Sequence, residues 1–249
     1  MKPNRNKIGE YGAIGLAALV VAVVVFLPDD EPSPPEPRSK PILVCIDSTK
    51  STDDVRGKYR VDLESLVRRS ASHQDHFLAA ACGANATGEV DWPVSRWFRE
   101  GRSEGDFPQQ ELDRQIEVVI NGEDEQEKEG IVDLLERESK ESTPIGEMLA
   151  VTGRQCAQVG GDCEIYLFTD GEWADGLLRV KTGISEEERE RYLDTYDSEL
   201  EGLSGTTVNF IGVGLKTEMG ELRLAEAKSI AEDLVRQAGG TMGNWTARL

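Results

Sequence analysis

PILVCIDSTKST, residues 41–52, joins an unbroken apolar run to a cluster of oxygen-bearing side chains. Ile42 to Ile46, bounded by Pro41 and by polar residues, has the length and continuity of a short strand buried on both faces. That strand ends on Asp47, and Ser48, Thr49, Lys50, Ser51 and Thr52 follow it. A carboxylate with hydroxyls at alternate positions beyond it places hard oxygen donors at the carboxyl end of a parallel strand. In open α/β sheets that is where ligands bind. Such donors suit Mg²⁺, Ca²⁺ or Mn²⁺ rather than softer metals.

Working outward from this stretch, apolar strands alternate with amphipathic helices. Asp53 or Asp54 caps a predicted helix to about Ser72, with Tyr59, Leu63, Leu66 and Val67 along one face. Phe77 to Cys82 reads as a second buried strand, stopped by Gly83. Residues 84–108 are Gly-rich and irregular, with Val94 to Phe98 as a short edge strand and Trp92, Trp97 and Phe98 packing beneath a long loop. Helices follow over about 109–120 and 124–138, parted by Asn121-Gly122. Ser142-Thr143-Pro144 then opens a helix from Ile145 to about Gln158.

Cys163 to Thr169 is the third buried strand and ends on Asp170-Gly171. An acidic helix near 185–202 starts at Ser185, with Glu188 at capping-box spacing. Thr207 to Val213 is the fourth buried strand. A helix over 222–238 carries Ala227, Ile230, Ala231, Leu234, Val235 and Ala238 on one face and stops at Gly239-Gly240. The tail from Thr241 to Leu249 is too short to decide on a final edge strand. The alternation predicts a doubly wound, mostly parallel α/β sheet with helices on both faces, filling residues 41–249.

The first forty residues have a different character. Tyr11 to Leu27 is a run of 17 residues without a charge, apolar on every face and long enough to span a bilayer. Its end, Val25-Phe26-Leu27-Pro28, lacks the small-residue pattern of a signal cleavage site, so an uncleaved anchor is expected at 11–27. Lys2, Arg5 and Lys7 precede the run, and Asp29, Asp30 and Glu31 follow it. The positive-inside rule then leaves residues 1–10 in the cytoplasm and the body outside it. Residues 28–40 hold five prolines and form a stiff, extended linker.

The formal net charge is −19, and because the first forty residues carry five basic and five acidic groups, all of it belongs to the body. Such a body repels DNA, RNA and anionic lipid, which excludes nucleic acid from the expected partners. Enzyme signatures are missing as well. A haloacid-dehalogenase-type phosphotransferase needs a second Asp two residues after the first, where Thr49 stands. No phosphate-binding G-x-x-x-x-G-K-[ST] occurs, and the one G-x-S-x-G match, Gly101-Arg102-Ser103-Glu104-Gly105, falls in the Gly-rich irregular stretch 84–108 rather than at a turn from a buried strand into a helix. His73 and His76 fall near the start of the second strand, far from its carboxyl end, and read as surface residues.

Three loops face the carboxyl edge of the predicted sheet. They supply Asp47, Thr49 and Ser51 from DSTKS (47–51), Thr143 from STPIGE (142–147) and Asp170 from LFTDG (167–171). In order and rough spacing these pieces resemble the metal-ion-dependent adhesion site of von Willebrand factor A domains. That pattern is a strand ending in D-x-S-x-S, a later Thr before a helix, and a strand ending in Asp-Gly. The resemblance covers about residues 41–240, with Thr49 standing where Ser is usual and keeping the hydroxyl.

The resemblance implies a Rossmann-like fold. It implies too that Thr49, Ser51 and Thr143 offer hydroxyls to a divalent cation, while Asp47 and Asp170 act directly or through water. Mg²⁺ is the first expectation, with Mn²⁺ and Ca²⁺ as alternatives. Two carboxylates leave such an ion under-neutralised, so an open position attracts an Asp or Glu carboxylate of a protein partner, as the family uses it. Binding without catalysis is therefore the expectation. Glu172 and Trp173 are expected at the rim. An envelope assembly module with a structural or silent metal site is the alternative, and a metal-dependent hydrolase a third. Asp47 and Thr143 as plain helix caps is the structural alternative.

Cys45, Cys82, Cys156 and Cys163 lack C-x-x-C spacing, which argues against zinc, and their even number suits an oxidising compartment. Cys156, late in a helix, and Cys163, opening a strand after Gly160-Gly161, form the expected pair. Cys45 and Cys82 read as small buried apolar side chains in neighbouring strands. Asn85-Ala86-Thr87 and Asn244-Trp245-Thr246 have the pattern of glycosylation acceptors in a eukaryotic source.

Overall fold

β1 (Ile42–Asp47) is buried at every position, as a central strand covered on both faces must be. The computed structural model describes residues 40–82, 90–98, 108–123, 129–137, 145–173, 182–200, 202–215 and 220–249. The expected cytoplasmic terminus (1–10), the anchor (11–27) and the linker up to residue 39 lie outside the described residues, as does Thr143. Among the described residues no helix is long and apolar enough to cross a membrane.

β1 pairs in parallel with β2 (His76–Cys82) on one side, and β3 (Val94–Trp97) closes that side antiparallel to β2. On its other side β1 pairs in parallel with β4 (Glu164–Phe168), which is followed outward by β5 (Thr207–Ile211) and β6 (Thr241–Thr246), both parallel. The order across the six-stranded sheet is β3-β2-β1-β4-β5-β6. Mixed α/β architecture with a mostly parallel sheet is thus observed.

Alternation of side chains along each strand divides the core in two. Ile42, Val44, Ile46, Phe77, Tyr166 and Phe168 pack under α1 (Asp53–His73), α2 (Pro108–Asn121) and α3 (Ile131–Glu136). Leu43, Cys45, Leu78, Ile165, Leu167 and Phe210 pack under α4 (Ile145–Gln158), α5 (Glu186–Tyr196) and α6 (Glu221–Gln237). The predicted capping box of α5 is present: the Ser185 Oγ accepts from Glu188 N–H, and the Glu188 carboxylate accepts from Ser185 N–H.

The structure departs from the sequence expectations at identifiable points. Of the helix expected over 124–138, residues 124–128 and 138 lie outside the described residues, and the described helix runs Ile131–Glu136. Gly130 is extended, donates its N–H to the Asp133 carboxylate at 2.7 Å, and lies so close to the Asn121-Gly122 turn that a Cβ would sit 2.3 Å from the Gly122 nitrogen. The helix expected to 202 stops at Tyr196, because Leu200 and Leu203 turn back into the core.

A sixth strand exists. TMGNWT has neither an apolar run nor clean alternation, and its pairing with β5 carries a register shift. There the Asn209 side chain stands in for the ladder, accepting from Asn244 N–H at 2.9 Å and donating to the Ile165 carbonyl at 3.2 Å.

Both cysteine pairs are joined, Cys45 to Cys82 and Cys156 to Cys163. The first pairing was not expected. Cys45 lies opposite Ala80, and Cys82 two residues further along the same face, so the diagonal brings their Cα atoms to 5.6 Å. His76 is not a surface residue: it is 6% exposed, stacks on Trp97 at 4.2 Å and meets the Ser95 hydroxyl through Nε2 at 3.1 Å. Trp92 and Phe98 do not cluster, since they pack on opposite faces of the sheet.

Candidate metal centre

Asp47 ends β1 and is completely buried. Its Oδ1 accepts from the backbone N–H of Thr49 at 2.9 Å and from the Thr49 hydroxyl at 2.6 Å, an Asx-type turn that folds the following loop back onto the strand end. Thr49 Oγ1 lies 3.2 Å from Ser51 Oγ, so the three predicted donors of this loop form one connected row. The Thr52 hydroxyl donates to the carbonyls of Asp47 and Thr49, both at 2.8 Å, and locks a single 3-10 turn ahead of α1. Thr49 is 2% exposed, and Ser51, half-buried, is the outermost of these donors.

β4 brings the second carboxylate. Asp170 lies two residues beyond the strand and is 1% exposed. Its Oδ1 accepts from Glu172 N–H at 2.9 Å, and its carbonyl accepts from Gly214 N–H at 3.0 Å. Thr169 links the two acids: its hydroxyl donates to Asp47 Oδ2 at 3.0 Å and accepts from Gly171 N–H at 3.2 Å. Sequence reasoning passed over Thr169. The available signal was a hydroxyl at the end of an otherwise apolar buried strand.

Electrostatics bear out the closeness of the pair. Burial pushes the Asp47 carboxyl up to about 6; the Thr49 hydroxyl draws it down, and the charge of Asp170 raises it again. Asp170 is likewise raised, first by burial, against the lowering effects of Glu172 N–H and the Ser51 hydroxyl. Tyr59, from α1, lies near enough for both acids to add to the upward push of burial on its phenol. Two carboxylates and a phenol therefore share one dry region at the carboxyl end of β1 and β4.

Of the five predicted donors, the structure brings together Asp47, Thr49, Ser51 and Asp170, and Thr143 falls outside the described residues. Of the two expected rim residues, Glu172 is half-buried and Trp173 is a core residue. Trp173 is 1% exposed and packs against Trp245 at 5.8 Å and Phe210 at 6.0 Å. An indole five residues past β4 reaches inward because β6 offers it an aromatic partner, which the sequence did not reveal.

No protein-family model matches the chain, and no curated protein matches it. Solved structures do. The pilus adhesin SpaC from Lactobacillus rhamnosus GG, in an open conformation, is 11% identical over 84% of this chain and 28% of that one, with a TM-score of 0.43. Proximal thread matrix protein 1 from the mussel byssus is 14% identical over 81% of this chain and 48% of its own, with a TM-score of 0.37. The human COPII-coat protein Sec24c is 9% identical over 84% of this chain and 30% of its own, with a TM-score of 0.38. The chain spans less than half the length of each.

The chemistry of the donor set decides whether a cation fits. Among the described residues, no three His, Cys, Asp or Glu side chains gather into a metal-sized group, so a zinc-like or carboxylate-rich site is not what these residues build. They build two carboxylates with hydroxyls, the donor type of a hard cation. Asp170 Oδ2 is buried and has no hydrogen-bond partner among the described residues. An orphaned carboxylate oxygen beside a second buried acid is costly unless a positive charge accompanies it. The residues present fit a divalent cation.

Proposed function

We propose that this chain is a membrane-anchored, von Willebrand factor A-like domain that binds a protein partner through a divalent cation, Mg²⁺ first, with Mn²⁺ and Ca²⁺ as alternatives. Asp47, Thr49, Ser51, Thr143 and Asp170 would hold the ion, and it would offer an open position to an Asp or Glu carboxylate of the partner. The observation that carries this reading is the convergence of two buried acids and two hydroxyls at the ends of β1 and β4, with the orphaned Asp170 Oδ2 among them. Binding rather than catalysis is favoured because two carboxylates with hydroxyl donors leave a divalent cation under-neutralised and open to a partner's carboxylate.

The placement outside the cytoplasm rests on the apolar run at 11–27 and its flanking charges. Pairing of all four cysteines supports it, since disulfides persist in oxidising compartments. The test is isothermal titration of MgCl₂ and MnCl₂ into the full chain in detergent, beside Asp47→Ala. Saturable binding that the substitution abolishes is expected. A folded wild type that takes up neither ion, or an Asp47→Ala variant that binds as well, overturns the reading.

A further inference from the structure

We infer that the Cys45–Cys82 disulfide is a positioning element of the cation site, so that the affinity of Asp47 and its loop for a cation depends on this bridge having formed. The inference rests on the cation reading above. Along β1, Cys45 lies two residues before Asp47 and projects from the same face. Across the sheet, Cys82 is the register partner of Asp47, so its side chain flanks the acid laterally on that face too. The bridge therefore bounds Asp47 from behind and from one side, and both sulfur-bearing residues are fully buried.

The backbone adds a second link. The carbonyl of Cys82 accepts from Ser48 N–H at 2.9 Å and from the Ser48 hydroxyl at 3.3 Å. Ser48 is the first residue of the donor loop, so the loop hangs from the very residue the disulfide holds. Strand ends are where a sheet frays most readily, and here β2 finishes at the bridge and β1 two residues beyond it. A covalent tie at that point fixes the separation of the two strand ends on which Asp47 and Thr49 depend.

Cys156–Cys163 supplies an internal contrast. It joins the last turn of α4 to the residue before β4, at the amino end of the sheet, opposite the acids. Both bridges stabilise the fold, but only one borders the donors. Since Cys45 and Cys82 are shielded from solvent, exchange with an external thiol is blocked in the folded chain, and the bridge acts as a permanent clamp set during oxidative folding.

The experiment compares three forms of the full chain in detergent: wild type, Cys45→Ala/Cys82→Ala and Cys156→Ala/Cys163→Ala. Each is titrated with MgCl₂ and MnCl₂ well below its own melting temperature, which is recorded alongside. Removal of the Cys45–Cys82 bridge is expected to weaken cation binding roughly 10- to 100-fold, the range for lost supports of metal ligands, with the second variant binding as wild type does. A companion, Cys45→Ala/Cys82→Val, restores volume and takes the place of the first variant if that one does not fold.

Unchanged affinity without the Cys45–Cys82 bridge overturns the inference, and so does an equal loss in both variants, which would mark general loosening. A wild type that binds no cation removes the reading on which the inference stands, a result distinguishable from either.

Discussion

The pair of buried acids makes a sharp prediction about pH. Asp47, ordinarily at 3.8, titrates at about 6 in the folded, cation-free chain, chiefly because burial penalises its charge. The folded state thus holds the proton more tightly than the unfolded one. The stability contributed by this group is complete below pH 3.8 and is lost as pH rises through about 6. At about 1.4 kcal/mol per pKa unit, the gap amounts to about 3 kcal/mol. Asp47→Asn cannot ionise, yet its amide oxygen can still accept from Thr49 N–H.

The assay is urea unfolding of both chains in chelator from pH 4 to 7.5. Asp47→Asn is expected to gain on wild type by about 3 kcal/mol across that range. In saturating Mg²⁺ the gain should shrink or reverse, because a cation favours the ionised acid and only the wild type can offer it. A difference between the two chains that does not change with pH would refute the reasoning. Equal profiles with and without Mg²⁺ would count against the cation alone.

Two other substitutions probe the surroundings of the pair. Gly212 has φ +94°, and a Cβ there would meet the Tyr59 ring at 2.4 Å, so Gly212→Ala should cost about 2–4 kcal/mol in urea unfolding. A cost below about 0.5 kcal/mol would show that Tyr59 is free to move away from the acids. Trp173→Ala should cost about 3–5 kcal/mol, since it empties a core position beneath β6. A change within about 0.5 kcal/mol would return Trp173 to the rim.

What the sequence disclosed followed from how parallel sheets are buried. β1, β2 and β4 are largely apolar runs and β5 one broken only by Asn209, because both faces are covered, and each run was visible for that reason. β6 was not visible, because its hold on the sheet comes partly from Asn209, a residue of the neighbouring strand. The Cys45–Cys82 bridge follows from strand adjacency and register together, and only the adjacency was read in advance. Asp47, Thr49, Ser51 and Asp170 were legible because hydroxyls and acids at strand ends break an apolar pattern. Thr169 breaks the same pattern but was read as the last residue of its strand, and its bond to Asp47 appears only once β4 lies beside β1.

That neighbourhood also bears on whether the acids are mere structural caps. β1 leads through α1 to β2 on one side, while β4 leads through α5 to β5 on the other, so the chain departs in opposite directions from the gap between β1 and β4. Such a switch point is where open α/β sheets leave a crevice for ligands. A helix cap would be spent on helix N–H groups, yet Asp47 accepts from Thr49, ahead of α1, and from Thr169. The N-cap residue of α1, Thr52, makes no side-chain cap either, its hydroxyl donating to carbonyls instead. A buried Asn could still accept from Thr49 without the ionisation penalty that Asp47 carries near neutral pH, although its amide nitrogen could not accept from the Thr169 hydroxyl. Burial raises both carboxyls toward the protonated form, and one keeps an oxygen without a partner among the described residues; a hard cation is the partner we propose for the pair.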